Sequence, residues 1–307
     1  MNINDPQLIQ VKERPFHEEK LRYVSAEKIK NFVSHFVLRS TCSNFAKNNT
    51  KSAMKKVMDF VVKENVRHGS QYALLRLSPV RGTMPPVAPG QFVQVEVPHS
   101  RTTFLRRPIS INYADQRELW LLIRRAGAGT NALCDAAEGT VLNIVLPLGH
   151  GFSLDVKGHV LLVGGGVGIA PLLMLGKRLV TRGIDVKFLL GARTSTDVLQ
   201  LDLFRQTGET RVATEDGSLG HHGLVTTHPL LQQADIDHIA CCGPMPMMKA
   251  VAAIARERGI NCEVSLENRM ACGVGACLCC VEDTVEHGNV CTCTEGPVFN
   301  INQLKWT

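Results

Sequence analysis

The sequence predicts an α+β chain of several domains: an antiparallel β-barrel, then an α/β unit, then a small cysteine-rich C-terminal subdomain. Three observations predict it. Six short runs rich in β-branched and aromatic residues lie between positions 57 and 146, mostly without helices between them. A strand, a glycine turn, a helix and a second strand follow from Val160. Six of the eleven cysteines fall between Cys272 and Cys293. The expected divisions are 1–53, a poorly ordered extension; 54–154, the barrel; 155–262, the α/β domain; and 263–307, the cysteine subdomain.

Taken in order, the first stretch carries little. Ile29, Phe32, Val33, Phe36 and Val37 sit at helical spacing, and the stretch from Lys47 to Lys56 is polar and basic. Strands are expected at 57–64, 72–77, 91–97, 109–113, 118–124 and 141–146, separated by Gly, Pro and Asn. Pro85, Pro86, Pro89 and Gly90 make a stiff corner before the third.

Two places in the barrel suit an anionic ligand. In Arg106-Arg107-Pro108-Ile109-Ser110 a rigid Pro fixes the backbone, an Arg offers a planar fork to phosphate, and Ser adds a hydrogen bond. In Arg124-Arg125-Ala126-Gly127-Ala128-Gly129-Thr130 a strand ends in a Gly-rich turn, with a helix expected near Thr130 and capped by it. An ordinary barrel with surface arginines and a capped helix fits either stretch equally well.

The α/β part opens with a strand at 160–163, the turn Gly164-Gly165-Gly166-Val167-Gly168, a helix at 169–181 with Pro171 in its first turn, and a strand at 186–190. Gly164, Gly166 and Gly168 let a phosphate approach the helix start, although Ala170-Pro171 replaces the end of the usual G-x-G-x-x-G. A strand at 236–242 leads into Gly243-Pro244 and a helix at 247–258. Cys242, Gly243 and Pro244 thus stand at the carboxyl edge of a parallel sheet, where ligands bind. Met245, Met247 and Met248 are expected to pack that helix, and His221-His222 to lie in a solvated loop.

The cysteines read C-x4-C-x2-C…C through Cys272, Cys277, Cys280 and Cys293, a spacing that suits four thiolates around a [2Fe–2S] cluster. Gly273 and Gly275 let the loop curl and turn N–H groups toward sulfur. Zinc favours paired C-x2-C knuckles, and one is present; disulfides need an oxidising compartment, and no export signal is seen. Zinc and plain thiols remain the alternatives.

The net charge of +6 is too mild and dispersed to point to nucleic acid. The longest apolar run, 160–175, is too short and Gly-rich for a membrane span. Eleven cysteines without an export signal point to the reducing cytoplasm and to metal chemistry.

Three sets of residues stand together: Arg107-Pro108-Ile109-Ser110; Gly164 to Pro171 with Cys242-Gly243-Pro244; and Arg269-Met270-Ala271-Cys272-Gly273-Val274-Gly275-Ala276-Cys277 ending in Cys293-Thr294-Glu295-Gly296-Pro297-Val298-Phe299. In this order they resemble the ferredoxin-reductase superfamily. The cysteine segment is similar specifically to the electron-transfer subunits of NAD-linked dihydroorotate dehydrogenases. The resemblance runs from about residue 56 to the C-terminus. It implies a flavin-binding barrel, an NAD-binding α/β domain and an iron–sulfur subdomain. It implies FAD contacts at Arg107, Pro108, Ile109, Ser110, Leu122, Ile123, Arg124, Gly129 and Thr130, with NAD as co-substrate. The four cluster cysteines match the family pattern. Ile123 stands where an aromatic is usual, Glu295 replaces Asp, and Cys279 and Cys291 lie outside the pattern.

The implied reaction carries electrons from a dihydroorotate-oxidising, FMN-containing catalytic subunit, through cluster and FAD, to NAD+, in a complex with two copies of each chain. No catalytic acid or base is assigned to this chain. Two rival readings are the small subunit of another flavin-based NAD(P)H oxidoreductase, of ferredoxin–NADP or sulfide/hydrogenase type, and a non-catalytic iron–sulfur redox sensor.

Overall fold

The computed structural model of the chain describes residues 8–11, 22–25, 54–98, 100 and 103–306. The helical spacing at Ile29 to Val37 falls outside them. Near the N-terminus, β1 (Leu8–Val11) and β2 (Arg22–Ser25) pair antiparallel.

The barrel consists of β3 (Lys56–His68), β4 (Tyr72–Pro79), β5 (Phe92–Val95), β6 (Arg107–Ser110), β7 (Tyr113–Ala114), β8 (Leu119–Arg124) and β9 (Val141–Leu148), with α1 (Ala128–Cys134) between the last two. Their order is β6-β5-β9-β3-β4-β8-β7, all antiparallel. Inward residues alternate along each strand, so Phe60, Leu75, Val93, Ile109, Leu121, Ile123 and Ile144 fill one core. The single strand expected at 109–113 is broken. Ile111 N–H donates to Gln91 O, whereas Asn112 N–H donates to Trp120 O, so the chain passes from the β5 side to the β8 side and closes the barrel there. The helix expected near Thr130 begins at Ala128 with Gly127 in the cap position, and no side chain caps it. Thr130 is already inside the helix, so the expected cap is corrected.

The second sheet has the order β13-β12-β11-β10-β14-β15-β18. Its strands are β10 (His159–Gly165), β11 (Asp185–Ala192), β12 (Glu209–Thr214), β13 (His221–His222), β14 (His238–Cys242), β15 (Asn261–Ser265) and β18 (Val298–Asn300). All neighbours pair in parallel except β18 against β15. Helix α2 (Ala170–Thr181) follows a 3-10 turn at Gly166–Ile169, has proline in its first turn, and stops before Gly183, whose φ of 78° reverses the chain. Helix α3 (Leu201–Thr207) packs Phe204 edge-on against Phe188. Helix α4 (Met245–Glu257) buries Met248, while Met245 and Met247 pack partly buried beside it. His221-His222 is a two-residue edge strand rather than a free loop, because Ala213 and Thr214 of β12 pair with it.

The cysteine segment leaves the sheet after Ser265 and returns as β18 beside β15, so sheet pairing holds both its ends. A hairpin of β16 (Val281–Thr284) and β17 (Gly288–Cys291) closes the gap between Cys280 and Cys293. Barrel and α/β domain share an apolar core, in which Tyr72, Leu74 and Leu122 meet Leu162, Ile169 and Leu172. Within that interface Asn112 and Gln200 exchange amide hydrogen bonds of 3.0 Å, and Asn112 Nδ2 also donates to Ala170 O. Among the described residues no helix is long and apolar enough to cross a membrane.

Candidate functional site

On the barrel, the two adjacent arginines have different surroundings. Arg106 is tied to Glu96 Oε2 at 2.9 Å, Asn143 Oδ1 at 2.6 Å and Asn143 O at 2.7 Å. Burial lowers its pKa, opposed by the charges of Glu96 and Asp59. Arg107 makes no hydrogen bond or ion pair among the described residues, and its arm lies over Gly129 in the first turn of α1. Pro108 stands opposite Gln94 in the ladder, and Ser110 opposite Phe92. Ser110 is half-buried with its hydroxyl unengaged among the described residues. The fold therefore brings Arg107 and Gly129 together and leaves Arg107 available to an anion.

The rest of the barrel set divides. Ile123 is fully buried in the barrel core, and Leu122 faces the α/β domain. Arg124 is exposed at the end of β8, opposite Tyr72. Thr130 Oγ1 accepts from Ala126 N–H at 2.9 Å and donates to Gly127 O, which fastens the Gly-rich turn.

A cavity of about 470 Å³ lies between barrel and α/β domain, within the range of small-molecule sites. Tyr72 and Arg124 wall it on the barrel side. Gly165, Gly166, Gly191, Arg193, Glu215, Leu224, Val225, Pro244 and Met247 line the rest. Most of these residues sit at or just beyond the carboxyl ends of β10, β11, β12, β13 and β14, where a parallel sheet presents its ligands. Gly168 fits against the next crossover: a Cβ there would stand 2.6 Å from both Cys242 O and Gly243 Cα. Gly164 is equally confined, with Ile169 Cγ2 2.8 Å from the same hypothetical atom. Burial pushes the Cys242 thiol up to about 12, against a hydrogen bond with Ser265, so it is uncharged at neutral pH.

The four spacing-matched cysteines meet. Cys272, Cys280 and Cys293 are buried and Cys277 is half-buried. Cys272 is hydrogen-bonded to both Cys277 and Cys293, and Cys293 also to Cys280. Positive φ at Gly273 (69°) and Gly275 (84°) curls the loop and turns successive N–H groups inward. Val274 N–H and Ala276 N–H point at Cys272 Sγ (3.4 and 3.3 Å), and Gly275 N–H at Cys293 Sγ (3.1 Å). Bonds from Cys277 and Cys293 hold the Cys272 thiol far below the usual range, and Cys280 is lowered to about 7 by its bond from Cys293. The donors Cys277 and Cys293 are pushed up by the same bonds. Backbone N–H dipoles thus face the Cys272 and Cys293 sulfurs.

Among the described residues no three His, Cys, Asp or Glu side chains gather about one metal ion. The thiol contacts instead run Cys277–Cys272–Cys293–Cys280. A [2Fe–2S] cluster divides four thiolates between two irons, whereas a tetrahedral zinc needs all four sulfurs around one point. Cys279 is exposed, and Cys291 is half-buried beside Cys280.

Residues 267–305 match the family model described as the iron-sulfur cluster binding domain of dihydroorotate dehydrogenase B. Residues 162–253 match the oxidoreductase NAD-binding domain. The dihydroorotate dehydrogenase B (NAD(+)) electron transfer subunit of Shouchella clausii (strain KSM-K16) is 44% identical over 224 residues, 70% of this chain and 86% of its own. That of Bacillus mycoides (strain KBAB4) is 40% identical over 225 residues, with the same coverage. The chain belongs to the dihydroorotate dehydrogenase B electron transfer subunits. A solved structure of an NADH-dependent reduced ferredoxin-NADP oxidoreductase, studied for flavin-based electron bifurcation, superposes with a TM-score of 0.72 at 27% identity, covering 86% of this chain and 92% of its own.

Against this family background, several residues of the site had no signal of their own in the sequence. Tyr72 reaches the cavity only because β4 pairs with β8 in the register that sets it opposite Arg124. Glu215 follows β12, a strand whose alternation is too short to read. Gln94 looks like any polar residue on an outward strand face, yet it is fully buried beneath the cysteine loop.

Proposed function

We propose that the chain takes electrons one at a time at the Cys272–Cys293 loop and delivers them in pairs to NAD+ in the cavity beside Gly166. Its cofactors are FAD and a [2Fe–2S] cluster, with NAD as co-substrate, and it serves pyrimidine biosynthesis. A nicotinamide exchanges only a hydride and an iron–sulfur cluster only single electrons, so a flavin, which does both, belongs between them.

One observation carries the reading. The four thiols lie on the outer face of the barrel, packed on Phe92 of β5 and on Val145 and Leu148 of β9. The adjoining strand β6 carries Arg107 and Ser110. The cavity with its glycine turn opens where the barrel meets the α/β domain, at Tyr72 and Arg124. Barrel strands thus lie between the thiols and the nicotinamide cavity, which is the order the electron path needs. Arg107 supplies the free guanidinium for the pyrophosphate of FAD, and Ser110 a hydroxyl near the flavin ring. Gly164, Gly166 and Gly168 keep the crossover low so that a dinucleotide can lie across it. Cys242, Gly243 and Pro244 form the floor of that crossover. Cys272, Cys277, Cys280 and Cys293 hold the irons.

A separate catalytic subunit, FMN-containing and present in equal number as two copies of each chain, oxidises dihydroorotate and passes electrons to the cysteine loop. No acid or base of this chain is assigned to that chemistry.

The test is made on the purified chain. It should absorb as a flavin plus iron–sulfur protein, and Cys277→Ser should lose the cluster absorbance and keep FAD. Alone it should oxidise NADH with artificial acceptors and leave dihydroorotate untouched until the catalytic subunit is added. Iron retained by Cys277→Ser overturns the ligand set, and dihydroorotate turnover by the chain alone overturns the division of labour.

A further inference from the structure

Gln94 lies in β5 on the outer face of the barrel. Its partner across the ladder on one side is Pro108, inside the Arg107–Ser110 strand, and on the other Val145 of β9. Directly paired residues share a face of the sheet, so Gln94 lies on the floor that Phe92, Val145 and Leu148 make beneath Cys272, Cys280 and Cys293. That floor is otherwise apolar. Gln94 is 0% exposed, and neither its amide nitrogen nor its amide oxygen has a partner among the described residues. A buried amide left unpaired is unfavourable, and a leucine would fill the same space without that penalty.

The amide touches the cysteine loop at its start. A Cβ at Gly273 would stand 2.8 Å from Gln94 Nε2 and 2.7 Å from its Cγ, and Gly273 is the residue after Cys272. Backbone N–H groups of the loop already serve the Cys272 and Cys293 sulfurs. The group this pocket is built to hold is a sulfur-rich anion, whose surface offers acceptors and no donors.

We propose that Gln94 is a cluster-contacting residue: its Nε2–H donates a hydrogen bond from the barrel side to a sulfur of the bound [2Fe–2S] cluster. The inference rests on the four-cysteine ligand set. A donor to cluster sulfur stabilises the more negative, reduced state more than the oxidised one, and so raises the reduction potential. Gln94 also belongs to a strand paired with the flavin strand, and its amide touches the cluster loop. It thus biases where the electron resides between the two centres.

The experiment uses the full chain carrying FAD and iron, unsubstituted and as Gln94→Leu and Gln94→Glu. Iron and FAD content are measured, with separate potentiometric titrations of the cluster by electron paramagnetic resonance and of the flavin by absorbance. Gln94→Leu should keep both cofactors and lower the reduced-to-oxidised ratio of the cluster at fixed poise about tenfold, a shift of about 59 mV for a one-electron couple. Gln94→Glu, which puts an acceptor where the donor stood, should shift it further the same way. The iron-free Gln94→Leu chain should melt no lower than the iron-free parent. An unchanged cluster potential in both variants at full iron content overturns the proposal, as does a shift confined to the flavin, and either leaves the ligand set standing. An unsubstituted chain that holds no iron overturns the ligand set, and this proposal with it.

Discussion

The space that a Cβ would fill at Gly129 is already taken by the arm of Arg107, from its Cγ to its Nε. Gly129 is buried and has no positive φ, so its want of a side chain serves Arg107 and not the backbone. Alanine here should push the guanidinium off its position while costing the fold little, because the clash falls on a flexible arm. Gly129→Ala is expected to weaken FAD binding about tenfold, ~1.4 kcal/mol. Flavin fluorescence titration measures it, and an unchanged affinity would remove Arg107 from the cofactor site.

Arg106 and Arg107 should separate stability from binding. Arg106→Ala removes the guanidinium that bonds Glu96 and Asn143 in a partly buried place, and should cost about 1–3 kcal/mol of stability. Arg107→Ala breaks no internal hydrogen bond and should leave the melting temperature of the FAD-free chain unchanged while FAD affinity falls. Denaturant titration of both FAD-free variants decides. If Arg107→Ala proved the destabilising one, the assignment of the pair would be reversed.

Cys279 and Cys291 test the reading of the loop from the other side. Cys279 is exposed, and burial raises both thiols above their ordinary range, so neither is primed as a thiolate. Cys279→Ser and Cys291→Ser should each keep two irons per chain, whereas Cys272→Ser and Cys293→Ser should lose them. Iron assay of the four proteins is enough, and iron loss from Cys279→Ser would redraw the ligand set.

The contrast between these cysteines and Gln94 shows which parts of the site were readable in the sequence. Thiol spacing is a local property: the curl through Gly273 and Gly275 and the hairpin before Cys293 are short-range features. The glycine crossover at Gly164 to Gly168 is local too, and so are the six barrel runs. What escaped depends on register and on contacts between distant segments. The strand expected at 109–113 broke because the barrel closes at Ile111 and Asn112, and barrel closure has no local signature. Thr130 has the residue type of a cap, but the helix starts at Ala128 and Gly127, three residues earlier, holds the cap position. Tyr72, Glu215 and Gln94 owe their places to pairing across β4–β8, β11–β12 and β5–β9.

Asn112 is where that closure becomes useful. Leaving the barrel strand lets its amide reach Gln200 and Ala170 O, so one side chain joins the barrel to α2 and to the residue that starts α3. Gln200 holds a left-handed backbone (φ 53°), unusual outside glycine, and its amide pairs with that of Asn112. Asn112→Ala removes three hydrogen bonds in a buried interface and should cost about 2–3 kcal/mol. The flavin residues are untouched, so FAD should remain, while NADH oxidation slows because the two domains no longer hold one angle. Chemical denaturation and stopped-flow flavin reduction measure the two effects. Full stability in Asn112→Ala would mean that apolar packing alone sets the interface.

Stability should also depend on pH through the β13 edge of the α/β domain. His228 Nδ1 accepts from Leu230 N–H at 3.0 Å and caps the short turn at Pro229–Gln232, a role that needs a neutral ring. Burial lowers its pKa from 6.5, and the nearby charges of His221 and Arg211 lower it further. The folded chain therefore keeps the ring neutral at a pH where the unfolded chain protonates it. Just below about pH 6.5 the unfolded state binds more protons, so stability rises with pH across that window. The contribution is complete above about pH 6.5 and disappears as pH falls through the lowered folded value. His68, lowered by burial alone, acts in the same direction. Melting temperature should thus decline as pH falls below about 6.5. His228→Asn keeps an acceptor for the turn but cannot titrate, and it should flatten part of that decline and leave the plateau near pH 7.5 in place. Thermal melts of both proteins across this range test it. An identical slope in His228→Asn would assign the pH dependence to other groups.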